Sequence, residues 1–325
     1  MFLTLEEVIW LIAEGKLLHI AGTERLLRQL PKGNWVGGST EYFMTKMGGK
    51  VSDDRLFVTQ FGYKKFTIKT YDVETIKNIA TDTPNSGFSI ALIPAESAVH
   101  KEYAANAVVY KDMFIRAVIG WITGTNPDKP EQMPITMNGS TGEVFTDRAV
   151  VLGMETKRTV VVNIVNIFEP AEESPIITFK DVLNDGFLVE NCFVNGERTV
   201  FADYLTANNV DMKLPLIGQF SGALLNTSIW GIEEGKVRLA SPVFDYVEYH
   251  FAKPVPDYEA AFVEKLAKLS NEKPIFSCNC IGNFWYGNLE GRLSGGVAAT
   301  FAGPVTFGEI AYQMVNQTLV YATLR

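Results

Sequence analysis

One short pattern recurs four times along the chain: a small or apolar residue, a glycine, two spacers, then Ser or Thr. It reads Val36-Gly37-Gly38-Ser39-Thr40, Ile119-Gly120-Trp121-Ile122-Thr123, Ile217-Gly218-Gln219-Phe220-Ser221 and Ala302-Gly303-Pro304-Val305-Thr306. Gly37 and Gly120 stand 83 residues apart, and Gly218 and Gly303 stand 85 apart. Two matching intervals predict an internal duplication with a period too long for a solenoid, hence paired domains. Glycine at such a step lets a strand turn sharply or lets two backbones approach. The alternative use is a backbone nest whose amides, with the Ser or Thr hydroxyls, face a small anionic ligand. A phosphate loop is excluded, because none of the steps ends in Gly-Lys-Ser/Thr ahead of a helix.

The segments between these steps carry strand patterns. Arg55–Phe61, Phe66–Tyr71, Arg148–Gly153, Thr159–Val165, Val237–Ala240, Val243–Tyr249 and Gln317–Leu324 read as strands with short connections, and so as antiparallel pairs. Leu17–Ala21 suits a buried strand, and Ile275-Phe276 a strand end before a turn at Gly282-Asn283. Helices are expected after the capping box Thr4…Glu7, after Thr23 as far as Pro31, over 98–114, and after Asp257, where Tyr258, Phe262, Leu266 and Leu269 share one face. The fold class is therefore α+β: two related domains with largely antiparallel sheets covered by helices. The acidic, proline-bearing stretch Phe168–Pro175 is the linker, dividing the chain into 1–175 and 176–325.

Composition narrows function mainly by exclusion. A formal charge of −8 over 325 residues disfavours a broad nucleic-acid or anionic-membrane surface. No apolar run reaches membrane-spanning length, and the N-terminus lacks a signal-peptide pattern. Three cysteines, Cys192, Cys278 and Cys280, suggest reduced thiols and a cytoplasmic setting. His19, His100 and His250 are scattered, so neither a metal site nor a cofactor is expected. Cys278-Asn279-Cys280 is the sharpest local oddity; either thiol is a candidate nucleophile if a base or positive field lies nearby, and a buried inert thiol otherwise. Glu309, beside Gly308 in an apolar run, is a candidate anchor for an amine or guanidinium, and otherwise a surface glutamate or one half of an internal ion pair. Trp35, Tyr42, Phe43, Trp121, Trp230, Trp285 and Tyr286 lie near the glycine steps or the cysteine pair; most should be core, and some could wall a pocket.

The chain resembles FIST domains at both ends. The residues that carry this are Phe276-Ser277-Cys278-Asn279-Cys280, Gly303 through Gly308-Glu309-Ile310-Ala311, and Asn316-Gln317-Thr318-Leu319-Val320 near the C-terminus. Leu26–Pro31 leading to Val36–Thr40, and Asn195-Gly196, add to it. The family commonly continues its cysteine as Cys-x-Gly-Arg, where this chain has Cys278-Asn279-Cys280-Ile281. The resemblance implies an N-terminal and a C-terminal FIST-like domain and a non-enzymatic sensory role, with a small metabolite such as an amino acid as ligand and a separate signalling protein as partner. It places the ligand near Cys278, Asn279, Gly303, Thr306, Gly308 and Glu309. The readings that compete with it are an enzyme using Cys278 or Cys280 as nucleophile, and a scaffold that binds only protein.

Overall fold

A computed structural model describes residues 1–181, 186–220, 223–296 and 298–325. The protein is α+β, built from strands in mostly antiparallel sheets with helices packed on their outer faces. The helix Leu5–Ala13 starts where the sequence says it should. Thr4 accepts from the Glu7 amide, and the Glu7 carboxylate accepts from the Thr4 amide. Asp257 caps Tyr258–Ala267 by a single bond, accepting from the Ala260 amide, and that helix buries Tyr258, Phe262 and Leu266. The second helix is shorter than expected, Glu24–Leu27.

Three six-stranded sheets form the body. The first runs in the order Phe2–Leu3, Leu56–Phe61, Leu17–Gly22, Trp35–Ser39, Thr136–Asn138, Glu143–Phe145. The second runs Gln313–Val315, Glu309–Ala311, Ala117–Thr123, Gly87–Pro94, Ala149–Glu155, Phe66–Tyr71. The third runs Val160–Val165, Leu319–Leu324, Pro274–Cys280, Gly303–Thr306, Tyr42–Thr45, Gly48–Val51. Strands from both sides of residue 175 thus share the second and third sheets. Their inner faces meet in one cluster that includes Val36, Phe57, Ile90, Trp121, Leu152, Phe276, Cys278 and Val320. Residues between Ile177 and Tyr249 build a separate cluster around Phe179, Phe201, Leu216 and Val237.

Three of the four glycine steps occupy the same place in this body. Each lies on a strand that runs parallel to the strand before the intervening helix: Leu17–Gly22 with Trp35–Ser39, Gly87–Pro94 with Ala117–Thr123, and Pro274–Cys280 with Gly303–Thr306. In each case a later antiparallel strand flanks the first one. The glycines serve close approach. A Cβ on Gly120 would lie 1.9 Å from the Ala91 carbonyl oxygen, and one on Gly303 1.9 Å from that of Ser277. The three steps also converge. Gly124 donates to the Ser39 carbonyl, Thr40 donates to the Val305 carbonyl, and a Cβ on Gly38 would meet Thr123 and Trp121. Backbone approach between sheets is therefore what these glycines do.

The fourth step differs. Gly218 sits on Leu216–Phe220, whose neighbours Ala223–Thr227 and Tyr249–Phe251 are both antiparallel, and it makes room for the Tyr249 ring. Its Ser221 and the following Gly222 lie outside the described residues. The recurrence is thus of three similar units and one dissimilar one, rather than of two matched halves.

Two local expectations also change. Val243–Tyr249 is a loop up to the short strand Tyr249–Phe251: Val247 closes a turn on Phe244, and the Phe244 amide donates to the Tyr249 hydroxyl. Gly282 and Asn283 are not a turn but part of the helix Ile281–Tyr286, which the apolar Ile281 and Phe284 hold against the core.

Candidate functional site

The strand Pro274–Cys280 delivers Cys278, Asn279 and Cys280 to the centre of the molecule, and all three are buried. Cys278 lies in the inner cluster, where its thiol donates weakly to the Gly120 carbonyl at 3.5 Å. Asn279 accepts from the Asn283 side-chain amide at 3.0 Å, while its own Nδ2 and the Asn283 Oδ1 find no partner among the described residues. Cys280 ends the strand beside the Glu309 carboxyl.

Glu309 is fully buried at the start of the hairpin Glu309–Ala311 and Gln313–Val315. Among the described residues its hydrogen-bond partners are hydroxyl and amide groups rather than a cation. Its Oε2 accepts from the Thr318 amide at 3.3 Å and the Thr318 hydroxyl at 2.8 Å; its Oε1 lies 2.7 Å from the Thr306 hydroxyl. Burial drives its pKa from 4.5 up to about 8, and the bonds from Thr306, Thr318 and Cys280 offset only part of that. The Thr306 hydroxyl has a single proton yet also lies 3.2 Å from the Asn279 carbonyl. A protonated Glu309 resolves this: the carboxyl donates to Thr306, and Thr306 donates to Asn279. Burial pushes the Cys278 and Cys280 thiols well above their ordinary range.

This network backs onto a cavity of about 260 Å³. Its lining comes from three regions: Pro127; Ser228, Trp230 and Ala240; and Cys280, Ile281, Gly282, Trp285, Tyr286, Phe307 and Asn316. Pro127 and Trp230 are the more exposed and mark the mouth, whereas Ser228, Cys280 and Asn316 are buried and mark the floor. Trp285 meets Phe307 edge-on at 6.0 Å. Asn316 has no exposed surface, and neither its Oδ1 nor its Nδ2 has a hydrogen-bond partner among the described residues. The turn that carries it is clamped from outside: Ser228 donates to the Gln317 side-chain oxygen at 2.8 Å, and the Gln317 amide donates to the Lys213 carbonyl at 2.9 Å.

The structure therefore brings Asn279, Thr306 and Glu309 into one hydrogen-bonded group, with Cys280 between that group and the cavity. Gly303 serves the sheet contact with Ser277, and Cys278 belongs to the inner cluster. Gly308 lies beside Ile122, Met314 and Asn316. Sequence reasoning passed over Asn316 as a site residue, although the residue was visible in the Asn316-Gln317-Thr318 run. Ser228 and Ala240 gave no local signal, since only the tertiary fold carries them to the cavity. Among the described residues, no three His, Cys, Asp or Glu side chains converge as a metal site would require. No described helix is long and apolar enough to cross a membrane.

The chain belongs to a family of unknown function (DUF6976), whose profile matches residues 3–325. No curated protein matches it.

Proposed function

We propose that this protein is a non-enzymatic receptor for a small molecule, which seats in the cavity between Trp230, Trp285, Phe307 and the floor formed by Ser228, Cys280 and Asn316. The observation that carries this reading is Asn316. A buried amide with neither donor nor acceptor engaged costs about 1–3 kcal/mol per orphaned group, and native folds seldom keep one without a reason. Here it forms part of the floor of an aromatic-walled cavity, the usual composition of a ligand site. The likeness to FIST domains adds a sensory setting, in which ligand binding is passed to a separate signalling protein.

The competing enzyme reading gains one point, because Cys280 lines the cavity. A nucleophilic cysteine needs thiolate, however, and burial opposes its formation. The test is a thermal-shift screen of the purified protein against amino acids, nucleotides, organic acids and neutral amides, repeated on Asn316→Ala. A ligand at a hundred times its Kd adds about 2.7 kcal/mol of apparent stability. A shift seen in the wild type and lost in the variant is the expected result. Shifts that survive Asn316→Ala unchanged would remove this site from consideration.

A further inference from the structure

The segment 125–134 joins two strands, and its ends are pinned at one residue. Gly124, just after Ala117–Thr123, donates to the Ser39 carbonyl. Ile135, just ahead of Thr136–Asn138, accepts from the Ser39 amide and donates to the Ser39 hydroxyl. A loop whose ends meet in this way is an Ω-loop, a form that often serves function. Pro127, Pro130 and Pro134 stiffen it by fixing φ. Between the pins it holds little of the body. None of its side chains is buried, and Met133 points an exposed apolar chain at solvent. Few buried contacts mean a low free energy of local opening.

Its hydrogen bonds tell the same story. The Lys129 and Gln132 amides, the Thr125 hydroxyl and the Asp128 amide all donate to acceptors inside the segment. Among the described residues only two of its bonds leave it, and both end on one carboxylate. Lys129 Nζ lies 2.8 Å from Glu41 Oε1, and Asn126 Nδ2 lies 3.3 Å from Glu41 Oε2. The Glu41 side chain is 5% exposed, against 35% for Lys129, so the carboxylate belongs to the body and the cation reaches it from outside. That carboxylate accepts from no other described residue. Lifting the segment returns Lys129 to water and admits water to Glu41, so both charges have partners in either position. Pro127, which stands between Asn126 and Lys129 in the chain, lines the cavity at its mouth.

We infer that residues 125–134 are a lid over the cavity, hinged at Gly124 and Ile135 and latched by the Glu41 carboxylate through Lys129 and Asn126. This rests on the cavity being the ligand site, so the experiment reads lid and cavity separately. Lifting is read without ligand, by the rate at which endoproteinase Glu-C cuts after Glu131. Passage is read with fluorobenzene, whose uptake and release rates come from fluorine NMR exchange. Lys129→Met and Glu41→Gln break the latch; Lys129→Arg keeps its charge. Both latch-breaking variants should be cut faster. They should also take up and release fluorobenzene at least about tenfold faster, with Kd moving less than about threefold. Lys129→Arg should stay close to wild type. Lys129 is partly exposed, so Lys129→Met remains the test where Glu41→Gln fails to fold, and an unchanged urea midpoint reports that it is folded. Unchanged rates in Lys129→Met while fluorobenzene binds overturn the lid and leave the cavity reading standing. Faster release without faster uptake makes the segment a wall of the site, which also overturns the lid. If fluorobenzene binds no form, the cavity reading falls and the lid with it, whatever the cutting rates.

Discussion

Replacing Glu309 by Gln isolates the proton that the buried network holds. In the folded protein the carboxyl titrates near 8, against an ordinary 4.5, with burial as the main cause. Between those values the folded state keeps a proton that the unfolded chain has released. Stability is therefore fully present below about pH 4.5 and declines as pH rises, by up to about 1.4 kcal/mol per pH unit, until it is lost above about pH 8. Over the whole window the loss is on the order of 5 kcal/mol. Two other groups push the opposite way at lower pH. Burial lowers His19 to about 3 and His100 to about 4, so both gain stability as pH rises towards 6.5. The N-terminal amine, lowered to about 6 by burial and Lys46, does the same between 6 and 8. The comparison must therefore be wild type against variant. The Glu309→Gln side chain would keep the neutral geometry, its amide donating to Thr306 and its oxygen accepting from Thr318. Urea unfolding followed by tryptophan fluorescence, analysed by linear extrapolation, should show the wild type losing on the order of 2 kcal/mol relative to Glu309→Gln between pH 6.5 and 8. Parallel pH profiles would refute the neutral-carboxyl argument. So would a variant several kcal/mol less stable than wild type at pH 5, because that would make the charge itself part of the fold.

Three further outcomes follow from the same geometry. Asn316→Leu removes a donor and an acceptor that no described residue satisfies, so stability should stay level or rise by about 1 kcal/mol; a fall beyond about 2 kcal/mol would mean the amide is structural. Gly120→Ala and Gly303→Ala place a methyl 1.9 Å from a backbone oxygen and should each cost at least about 2 kcal/mol, while Gly62→Ala, with open space around it, should be close to neutral by the same unfolding assay. All three thiols are buried, with Cys192 pushed to about 12, so a disulfide reagent at pH 7.5 should titrate no fast thiol in native protein and three in denaturant. One rapid native thiol would revive the nucleophile.

What the sequence disclosed was mostly local. Thr4 with Glu7 and Asp257 ahead of Tyr258 announce helices because a cap is a contact between residues three apart. Strand runs such as Phe66–Tyr71 announce themselves through period-two alternation. Val243–Tyr249 misled because its apolar residues are buried by a loop packed under the Tyr249 hydroxyl, a tertiary arrangement that composition does not encode. Gly282-Asn283 misled because the turn preference of these two residues yields to the Ile281 and Phe284 anchors that hold the helix. The likeness to FIST domains remains a proposal about ancestry and role; the Asn279 carbonyl, Thr306 and Glu309 form one hydrogen-bonded group.

Glu309 and Asn316 show how a polar residue in an apolar run can mean two different things. Each lies near the closing hairpin, each is fully buried, and each would be costly alone. Glu309 meets that cost internally, by holding a proton and joining Thr306 and Thr318. Such a group specifies structure, and it fixes the wall on which Cys280 stands. Asn316 meets none of its cost from the described residues. Burial alone would have ranked the carboxylate first, since a charge in an apolar run draws attention before an amide does. Counting hydrogen bonds reverses the order: the satisfied acid is scaffold, and the unsatisfied amide is the residue on which the proposed ligand site rests.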